Sequence, residues 1–277
     1  RLKAVVIRGD ADFSLPEGRA YNDLFARVYE SVTASGMMKK YHDLGTPANL
    51  EALDEIRSLP WRNLQATSDP AIEQISGQKF ADRTLLRNSA CAGCPVGCIH
   101  VGYVRERFMD EHRFLYRQVA YDYEPIFALG SMLGVTDTAA VLTLLDAAEQ
   151  RGLDAMSAGV ALAWAAEASE KGILSTRETI DSLAFGESAG FLQAIHHLAG
   201  SANPFYASLG QGTLVAANEY GGADFACVLG QEMAGYATGE TFFAGQSLGF
   251  RHSHLDTGAY SYDQKNGNQD VAAAVRF

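Results

Sequence analysis

The hydrophobic pattern in the middle of the chain predicts two consecutive helices. Residues 139–151 have apolar positions at helical spacing, and residues 135–138 in front of them have the composition of a cap. Gly152 suits the position that ends this helix. A second helix is predicted over residues 158–171, capped by Ser157. This second helix is apolar almost all round over most of its length, so we expect it to be buried on several sides.

Further patterns predict a mainly α fold with a few short strands. Residues 49–59 predict a shorter helix, residues 1–9 a strand, and the apolar neighbours of Cys227 a buried strand. Residues 21–32 predict an amphipathic helix. Five apolar side chains share one face of it, which we expect to lie in the core: Tyr21, Leu24, Phe25, Val28 and Val32.

Glycine usage divides the chain into two predicted regions. The helical patterns occupy residues 1–220, and glycines become dense from Gly221 to Gly249. Such density is typical of backbone that approaches a ligand closely. We predict a helical domain over 1–220 and a partial last domain over 221–277.

Composition narrows the function classes. The 277 residues carry a formal net charge of −11, which disfavours a nucleic-acid groove or an anionic membrane surface, because both need clustered Lys and Arg. No run of 18 apolar residues occurs, so no membrane span is predicted. Clustered free thiols predict a reducing compartment, most simply the cytoplasm.

Three of the four cysteines lie within eight residues, as Cys91, Cys94 and Cys98. Gly93, Pro95 and Gly97 lie between them and favour a turn over a regular helix. Three thiols cannot all pair locally as disulfides, so we interpret the segment as a metal-binding loop. Soft sulfur ligands select iron–sulfur clusters or zinc.

The choice between these metals stays open from the residues alone. A four-iron cluster normally takes four cysteines, and Cys227 is the remaining one in the chain. Its apolar neighbours favour a role in the core for Cys227. His100 would complete a Cys3His zinc site.

Candidate catalytic and binding side chains follow the cysteine loop. Glu124 stands among aromatic and apolar residues, which makes it a candidate proton donor or acceptor, although an ordinary glutamate in a first helical turn is an equal alternative. The corner between the two predicted helices holds Glu149 and Asp154 in place to accept N–H donors from a ligand; capping or salt bridging at the helix ends is the alternative. His252 and His254, with Asp256 nearby, are candidates for proton transfer or for a structural hydrogen bond.

Together, ordered motifs over nearly the whole chain resemble the aldehyde:ferredoxin oxidoreductase family, which comprises tungsten or molybdenum bis-pterin enzymes. The segments that carry the resemblance are residues 2–9, the Cys91–Cys98 loop, residues 123–125 and 129–134, residues 152–159, residues 230–233 and the His254–Leu255 region. The fold implied is that of helical domains 2 and 3 of these enzymes.

The resemblance implies a role for each candidate. Cys91, Cys94 and Cys98 would bind a [4Fe–4S] cluster. The family's pterin motif D-x-x-G-L-D falls on residues 149–154, with Glu149 in place of the first aspartate, so that Glu149, Gly152, Leu153 and Asp154 would contact the bis-pterin. Glu124 would be the active-site glutamate. His254 would be the active-site histidine, with His252 as second choice.

The implied reaction is oxidation of an aldehyde to its carboxylic acid, with electrons passing through the cluster to ferredoxin or to an electron-transfer subunit. A homodimer is compatible with the resemblance. The family's N-terminal pterin-wrapping domain, its second pterin motif and its fourth cluster cysteine are not in these 277 residues. We therefore expect a fragment that holds no complete cofactor by itself. An iron–sulfur electron-transfer or accessory subunit and a zinc-stabilised helical binding module remain as alternatives.

Overall fold

The computed structural model describes residues 5–11, 18–108, 113–253, 257–266 and 271–276. It confirms a mainly α fold with one small antiparallel sheet. The α-helices are α1 Gly18–Thr33, α2 Gly36–Asp43, α3 Asn49–Glu55, α4 Ile72–Ile75, α5 Gly77–Thr84, α6 Tyr123–Leu129, α7 Thr138–Gln150, α8 Ala155–Glu170, α9 Thr176–Thr179, α10 Ser188–Gly200, α11 Pro204–Leu209, α12 Thr213–Tyr220, α13 Glu240–Leu248, α14 Ala259–Asn266 and α15 Val271–Arg276. The strands are β1 Leu85–Ser89, β2 Ile99–Phe108 and β3 Arg113–Tyr121. Short 3₁₀ turns lie at Thr46–Ala48, Ser131–Leu133 and Ala223–Phe225.

Helix α8 lies at the centre of the hydrophobic core, as its apolar sequence predicts. Val160, Leu162 and Trp164 are buried together with most of the other residues of this helix. The helix packs very closely on α6, because a Cβ added at Gly159 would lie 2.4 Å from the backbone oxygen of Ala128. Only glycine permits this approach.

The corner between α7 and α8 is built by two aspartate caps. Asp137 caps α7 by accepting from the Ala140 N–H at 2.8 Å, and Asp154 caps α8 by accepting from the Ser157 N–H at 2.9 Å. The prediction that Ser157 is the cap is wrong, because α8 begins one turn earlier and Ser157 lies inside it. Gly152 adopts φ +69° at the end of α7, as predicted for a residue that terminates a helix.

The sheet frames the cysteine loop. Strand β2 pairs antiparallel with β1 and with β3, and its pairing with β3 runs from His100–Tyr121 to Phe108–Arg113. Residues 90–98, which contain the three clustered cysteines, connect β1 to β2. The sheet therefore fixes both ends of the loop.

Two predictions for the N-terminal part are wrong. Residues 5–9, the described part of the predicted strand 1–9, have no regular secondary structure, and residues 1–4 lie outside the described residues. Helix α1 forms, but its apolar face is not part of the core: Leu24, Phe25 and Val28 are 52%, 45% and 51% exposed. Among the described residues α1 packs mainly on α2, a helix of eight residues, which is too short to cover that face.

The glycine-rich segment after residue 220 packs on the helices before it. The Ala237 N–H donates to the Ser58 carbonyl at 3.0 Å, and the Thr213 hydroxyl donates to Glu232 Oε1 at 2.8 Å. Cys227 is half-buried in a loop, so the predicted strand around it is wrong. The boundary at residue 220 stays a prediction.

Within the described ranges no single helix has the length and hydropathy needed to cross a membrane. Residues Tyr123–Leu133 and Thr138–Gln150 are apolar enough only when they are taken as a pair, and this pair is bent by 111°.

Candidate functional site

Glu124 lies in the first turn of α6 and is half-buried. Its Oε1 accepts a hydrogen bond of 2.8 Å from the hydroxyl of Tyr236, which lies 112 residues further along the chain. Tyr236 is only 8% exposed, and its ring contacts the rings of Tyr123 and Tyr260 at centroid distances of 5.0 and 4.7 Å. An aromatic wall therefore shields one side of the carboxylate.

Tyr236 is held in place by the residue before it. A Cβ added at Gly235 would lie 2.9 Å from ring atoms of both Tyr123 and Phe127, so the backbone rests directly on these two rings. The hydroxyl of Tyr123 donates to the carbonyl of Gly235. The close approach at Gly235 thereby fixes where the ring of Tyr236 can lie.

Burial keeps Tyr236, the tyrosine that donates to Glu124, in its protonated form. Desolvation raises the pKa of Tyr236, and the neighbouring charge of Glu124 raises the pKa further. Burial also raises the pKa of Tyr123 well above its usual value. Both hydroxyls therefore remain protonated near neutral pH, and Tyr236 is the donor in its bond with Glu124.

Glu124 belongs to a group of three carboxyl groups. Although the Asp122 side chain is exposed at the surface, desolvation of its carboxyl group by the surrounding residues, followed by the charges of Glu124 and Glu149, raises its pKa to about 6. Burial and the charge of Asp146 raise the pKa of Glu149. Asp122 is thus within electrostatic range of both predicted site residues, one at the start of α6 and the other at the end of α7. Such a group favours protons, cations or N–H donors.

The remainder of the predicted pterin motif borders a cavity. The cavity has a volume of about 590 Å³, within the range of ligand-binding pockets. Its walls include Leu153 and Asp154 from the corner, Cys227, Glu232 and the turn before α12. Asp154 Oδ1 caps α8. Helix capping, which the sequence offers as the alternative to ligand binding at this corner, is therefore observed for this side chain. The corner thus places Asp154 in the wall of this cavity.

The cysteine loop carries three free thiols. Cys91 is exposed, and Cys94 and Cys98 are partly exposed. A backbone hydrogen bond of 3.0 Å from the Cys94 N–H to the Cys91 carbonyl closes the first turn, and His42 anchors the loop through a contact of 2.8 Å between its Nδ1 and the Val96 carbonyl. The loop is therefore tied to the helical part of the molecule.

The choice between an iron–sulfur cluster and zinc stays a prediction. Among the described residues, no three His, Cys, Asp or Glu side chains are placed to hold a single metal ion. His100 is fully buried, and its two ring nitrogens lie 2.9 and 3.3 Å from the carbonyl oxygens of Cys98 and Asp43. His100 is therefore engaged by backbone, so it is not the fourth ligand that the zinc alternative requires.

The predicted histidine falls beyond the site that can be described. His254 and its neighbour Asp256 lie outside the described residues. His252, the second choice, is exposed, has φ +55°, and places its Nδ1 3.1 Å from the Gln246 carbonyl. His254 therefore stays a prediction.

Two residues of the site were missed by sequence reasoning. Asp122 immediately precedes α6, and its signal was present in the acidic spacing Asp122-x-Glu124. Tyr236 had no local signal, because its role depends on a contact across 112 residues.

The chain matches the model of a known protein family. The model of the aldehyde ferredoxin oxidoreductase family, domains 2 and 3, matches residues 23–268. The chain therefore belongs to this family of tungsten oxidoreductases, and it contains those two domains.

Named relatives agree with this assignment. The chain is 29% identical over 177 residues to the tungsten-containing aldehyde ferredoxin oxidoreductase of Pyrococcus abyssi, a match that covers 62% of this chain and 27% of the relative. It is 30% identical to the enzyme of that name from Thermococcus kodakarensis, with 67% and 29% covered. It is 28% identical to the aliphatic sulfonate oxidoreductase, WOR-like subunit, of Pyrococcus furiosus, with 70% and 30% covered.

The matches thus span under a third of the length of these relatives. One solved structure also matches, the active site complex BamBC of benzoyl coenzyme A reductase with 1,5-dienoyl-CoA. It has a TM-score of 0.48 and 24% identity, and the match covers 66% of this chain and 27% of that chain.

Proposed function

We propose that this chain is the part of an aldehyde-oxidising enzyme that carries the acid–base residue and the cluster loop. The observation that carries the proposal is that Glu124 and Glu149, the first residue of the predicted pterin motif, both lie within electrostatic range of Asp122. Through Asp122, the carboxyl groups of Glu124 and Glu149 share one electrostatic neighbourhood, although 25 residues separate them in the sequence. A catalytic carboxylate beside a cofactor motif is the arrangement that the family's chemistry requires.

In this proposal Glu124 moves protons. Oxidation of an aldehyde with water to the acid releases two electrons and also protons, which need an acceptor at the site. Tyr236 holds Glu124 Oε1 by a hydrogen bond, and we assign proton acceptance to the other carboxylate oxygen, Oε2. The buried rings of Tyr123 and Tyr236 exclude water from this side of the carboxylate. His254 is proposed as the second proton-transfer group.

The cofactors are proposed to be held by two separate parts of the chain. Glu149, Gly152, Leu153 and Asp154 would contact a tungsten or molybdenum bis-pterin, which supplies the two-electron oxidation when it is bound. Cys91, Cys94 and Cys98 would ligate three irons of a [4Fe–4S] cluster, which supplies single-electron transfer towards ferredoxin or an electron-transfer subunit. These free thiols also support the proposed location in the reducing cytoplasm.

The test is an activity measurement on the full-length enzyme, purified without oxygen and supplied with a panel of aldehydes and benzyl viologen. We expect aldehyde-dependent reduction of the dye. Glu124→Gln should lower kcat by about 100-fold or more, as is typical when a general base is removed, with the metal content unchanged.

Glu55→Gln is the matched control, because Glu55 is an exposed glutamate at the end of α3 and makes the same change of charge. It should leave kcat unchanged. Full activity of Glu124→Gln, or an equal loss in both variants, would contradict the role of Glu124.

A further inference from the structure

The outer face of the sheet has an unusual composition. Side chains that share a face are set by the pairing register, which places Arg105 opposite Tyr116, Tyr103 opposite Gln118, and Arg87 opposite Val101. The other face of the sheet contributes Val104, Val119 and Tyr121 to the core. We define the outer face by six residues: Arg87, Tyr103, Arg105, Phe114, Tyr116 and Gln118.

The arginines of the outer face are held by neutral groups. Arg87 donates through Nε and Nη2 to Gln118 Oε1 at 3.3 and 3.1 Å. The guanidinium carbon of Arg105 lies 3.6 Å from the ring centroid of Phe114 and 5.8 Å from that of Tyr116. Both side chains are thus pre-positioned while their positive charges are kept.

Arg117, on the opposite face of the sheet, differs from Arg87 and Arg105 because its partners are carboxylates. Its guanidinium is paired with Asp146 at 2.5 Å and with Glu106 at 2.7 Å, so its charge is neutralised. The six residues of the outer face include no carboxylate. On a chain with a net charge of −11, this face is a local positive patch.

Aromatic rings are exposed within the patch. Phe114 and Tyr116 are 37% and 62% exposed. Arginine, tyrosine and phenylalanine are the residue types enriched at protein interfaces, and tyrosine and arginine often contribute most of the binding energy. The combination of fixed cations with exposed rings is complementary to an acidic protein surface.

The position of the patch indicates which acidic protein it would bind. Strand β1 leads directly into the cysteine loop, and Arg87 precedes Cys91 by four residues. We infer that the outer face is the docking surface of a small acidic iron–sulfur electron carrier, which Arg87 and Arg105 attract and Tyr116 and Phe114 contact. Each docking would pass one electron to an oxidised carrier, so the two electrons from one aldehyde need two dockings. This inference rests on the proposed function.

The test uses the full-length enzyme with an oxidised bacterial ferredoxin of net negative charge as the probe. For a variant with both Arg87→Glu and Arg105→Glu, we expect the calorimetric Kd for ferredoxin at low salt to rise by about tenfold or more, since each lost charge contact costs on the order of 1 kcal/mol. The KM for ferredoxin should rise similarly, while kcat with benzyl viologen stays unchanged. Arg105→Lys keeps the charge but loses the planar stacking. Its Kd and KM for ferredoxin should lie between those of the parent enzyme and those of the double variant.

The matched control is Arg19→Glu with Arg27→Glu, which makes the same charge change on the exposed helix α1. This control should leave the Kd and the KM for ferredoxin close to those of the parent enzyme. Unchanged ferredoxin binding in the outer-face variant would overturn the inference, and so would an equal loss in the control. A changed oligomeric state with unchanged ferredoxin binding would overturn it too, in favour of a second copy on this face. If the parent enzyme oxidises no aldehyde, the proposed function fails, but the calorimetric comparison still decides the docking surface.

Discussion

The hydroxyl of Tyr236 donates a hydrogen bond of 2.8 Å to Oε1 of Glu124. This bond joins the glycine-rich segment to the start of α6, and it fixes the orientation of the proposed acid–base group. Hydrogen bonds to charged groups contribute about 1.5–3 kcal/mol.

Replacing the tyrosine tests this relationship. We expect Tyr236→Phe to lower kcat for aldehyde oxidation by about tenfold, the rate equivalent of about 1.4 kcal/mol, with a smaller change in KM. The metal content should not change, because the ring and its packing remain. Tyr29→Phe on the exposed helix α1 is the control. A kcat equal to that of the parent enzyme would show that the bond has no part in the reaction.

The close approach at Gly235 predicts a second effect on the same bond. In Gly235→Ala the added Cβ would lie 2.9 Å from the rings of Tyr123 and Phe127, so the segment must shift. We expect a loss of about 1–3 kcal/mol in the free energy of unfolding, measured by urea denaturation, together with reduced kcat. Gly200→Ala serves as the control, since no atom lies within 4 Å of its added Cβ. Parent-like stability of Gly235→Ala would contradict the packing described.

The raised pKa of Asp122 predicts that the stability of the protein depends on pH. Its pKa is raised from 3.8 to about 6 in the folded protein. The folded state therefore binds the proton more tightly than the unfolded state, and this contribution is fully present below pH 3.8 and is lost as the pH rises through 6. This pKa shift corresponds to about 3 kcal/mol of stability for a fully buried group. Because the Asp122 side chain is exposed and solvent screens its charge, we expect a contribution of about 1 kcal/mol.

Asp122→Asn should accordingly raise the free energy of unfolding by about 1 kcal/mol at pH 7.5, and the gain should shrink towards pH 4. Urea denaturation at several pH values measures the gain at pH 7.5 and its decrease towards pH 4. Asparagine is also tolerated at the position before a helix. An equal effect at pH 4 and pH 7.5 would show that the carboxyl group is not perturbed as described.

The two roles of Asp154 can be separated by two substitutions. Asp154→Ala removes the cap of α8 and should cost about 1 kcal/mol of stability, whereas Asp154→Asn keeps an acceptor and should cost less. If the carboxylate also contacts the pterin, both variants of the full-length enzyme should be purified with less pterin. Pterin content equal to that of the parent enzyme in Asp154→Asn would restrict the residue to its capping role.

The sequence predicted the parts of the fold that local patterns determine. Helices α7 and α8 were predicted because apolar spacing, a capping segment and Gly152 agree at each end. The start of α8 was misplaced because Ser157 and Asp154 are both good caps, and the packing of α8 on α6 decides between them. The face of α1 was placed in the core because an amphipathic pattern indicates that a face will be covered, without indicating by what.

The hairpin formed by β2 and β3 was missed because apolar and polar residues do not alternate regularly along either strand. For the site, local patterns make Glu124, Glu149 and Asp154 candidates, and the resemblance assigns a role to each. Their meeting with Asp122 and Tyr236 depends on tertiary contacts that no local pattern records.

The most direct test of the central claim is a metal analysis of the full-length enzyme, purified anaerobically beside its Cys94→Ser and Cys227→Ser variants. The account predicts iron, acid-labile sulfide and tungsten or molybdenum in the parent protein, a marked loss of iron and sulfide in Cys94→Ser, and parent-like content in Cys227→Ser. Zinc in place of iron, or iron content that is unchanged in Cys94→Ser, would contradict it.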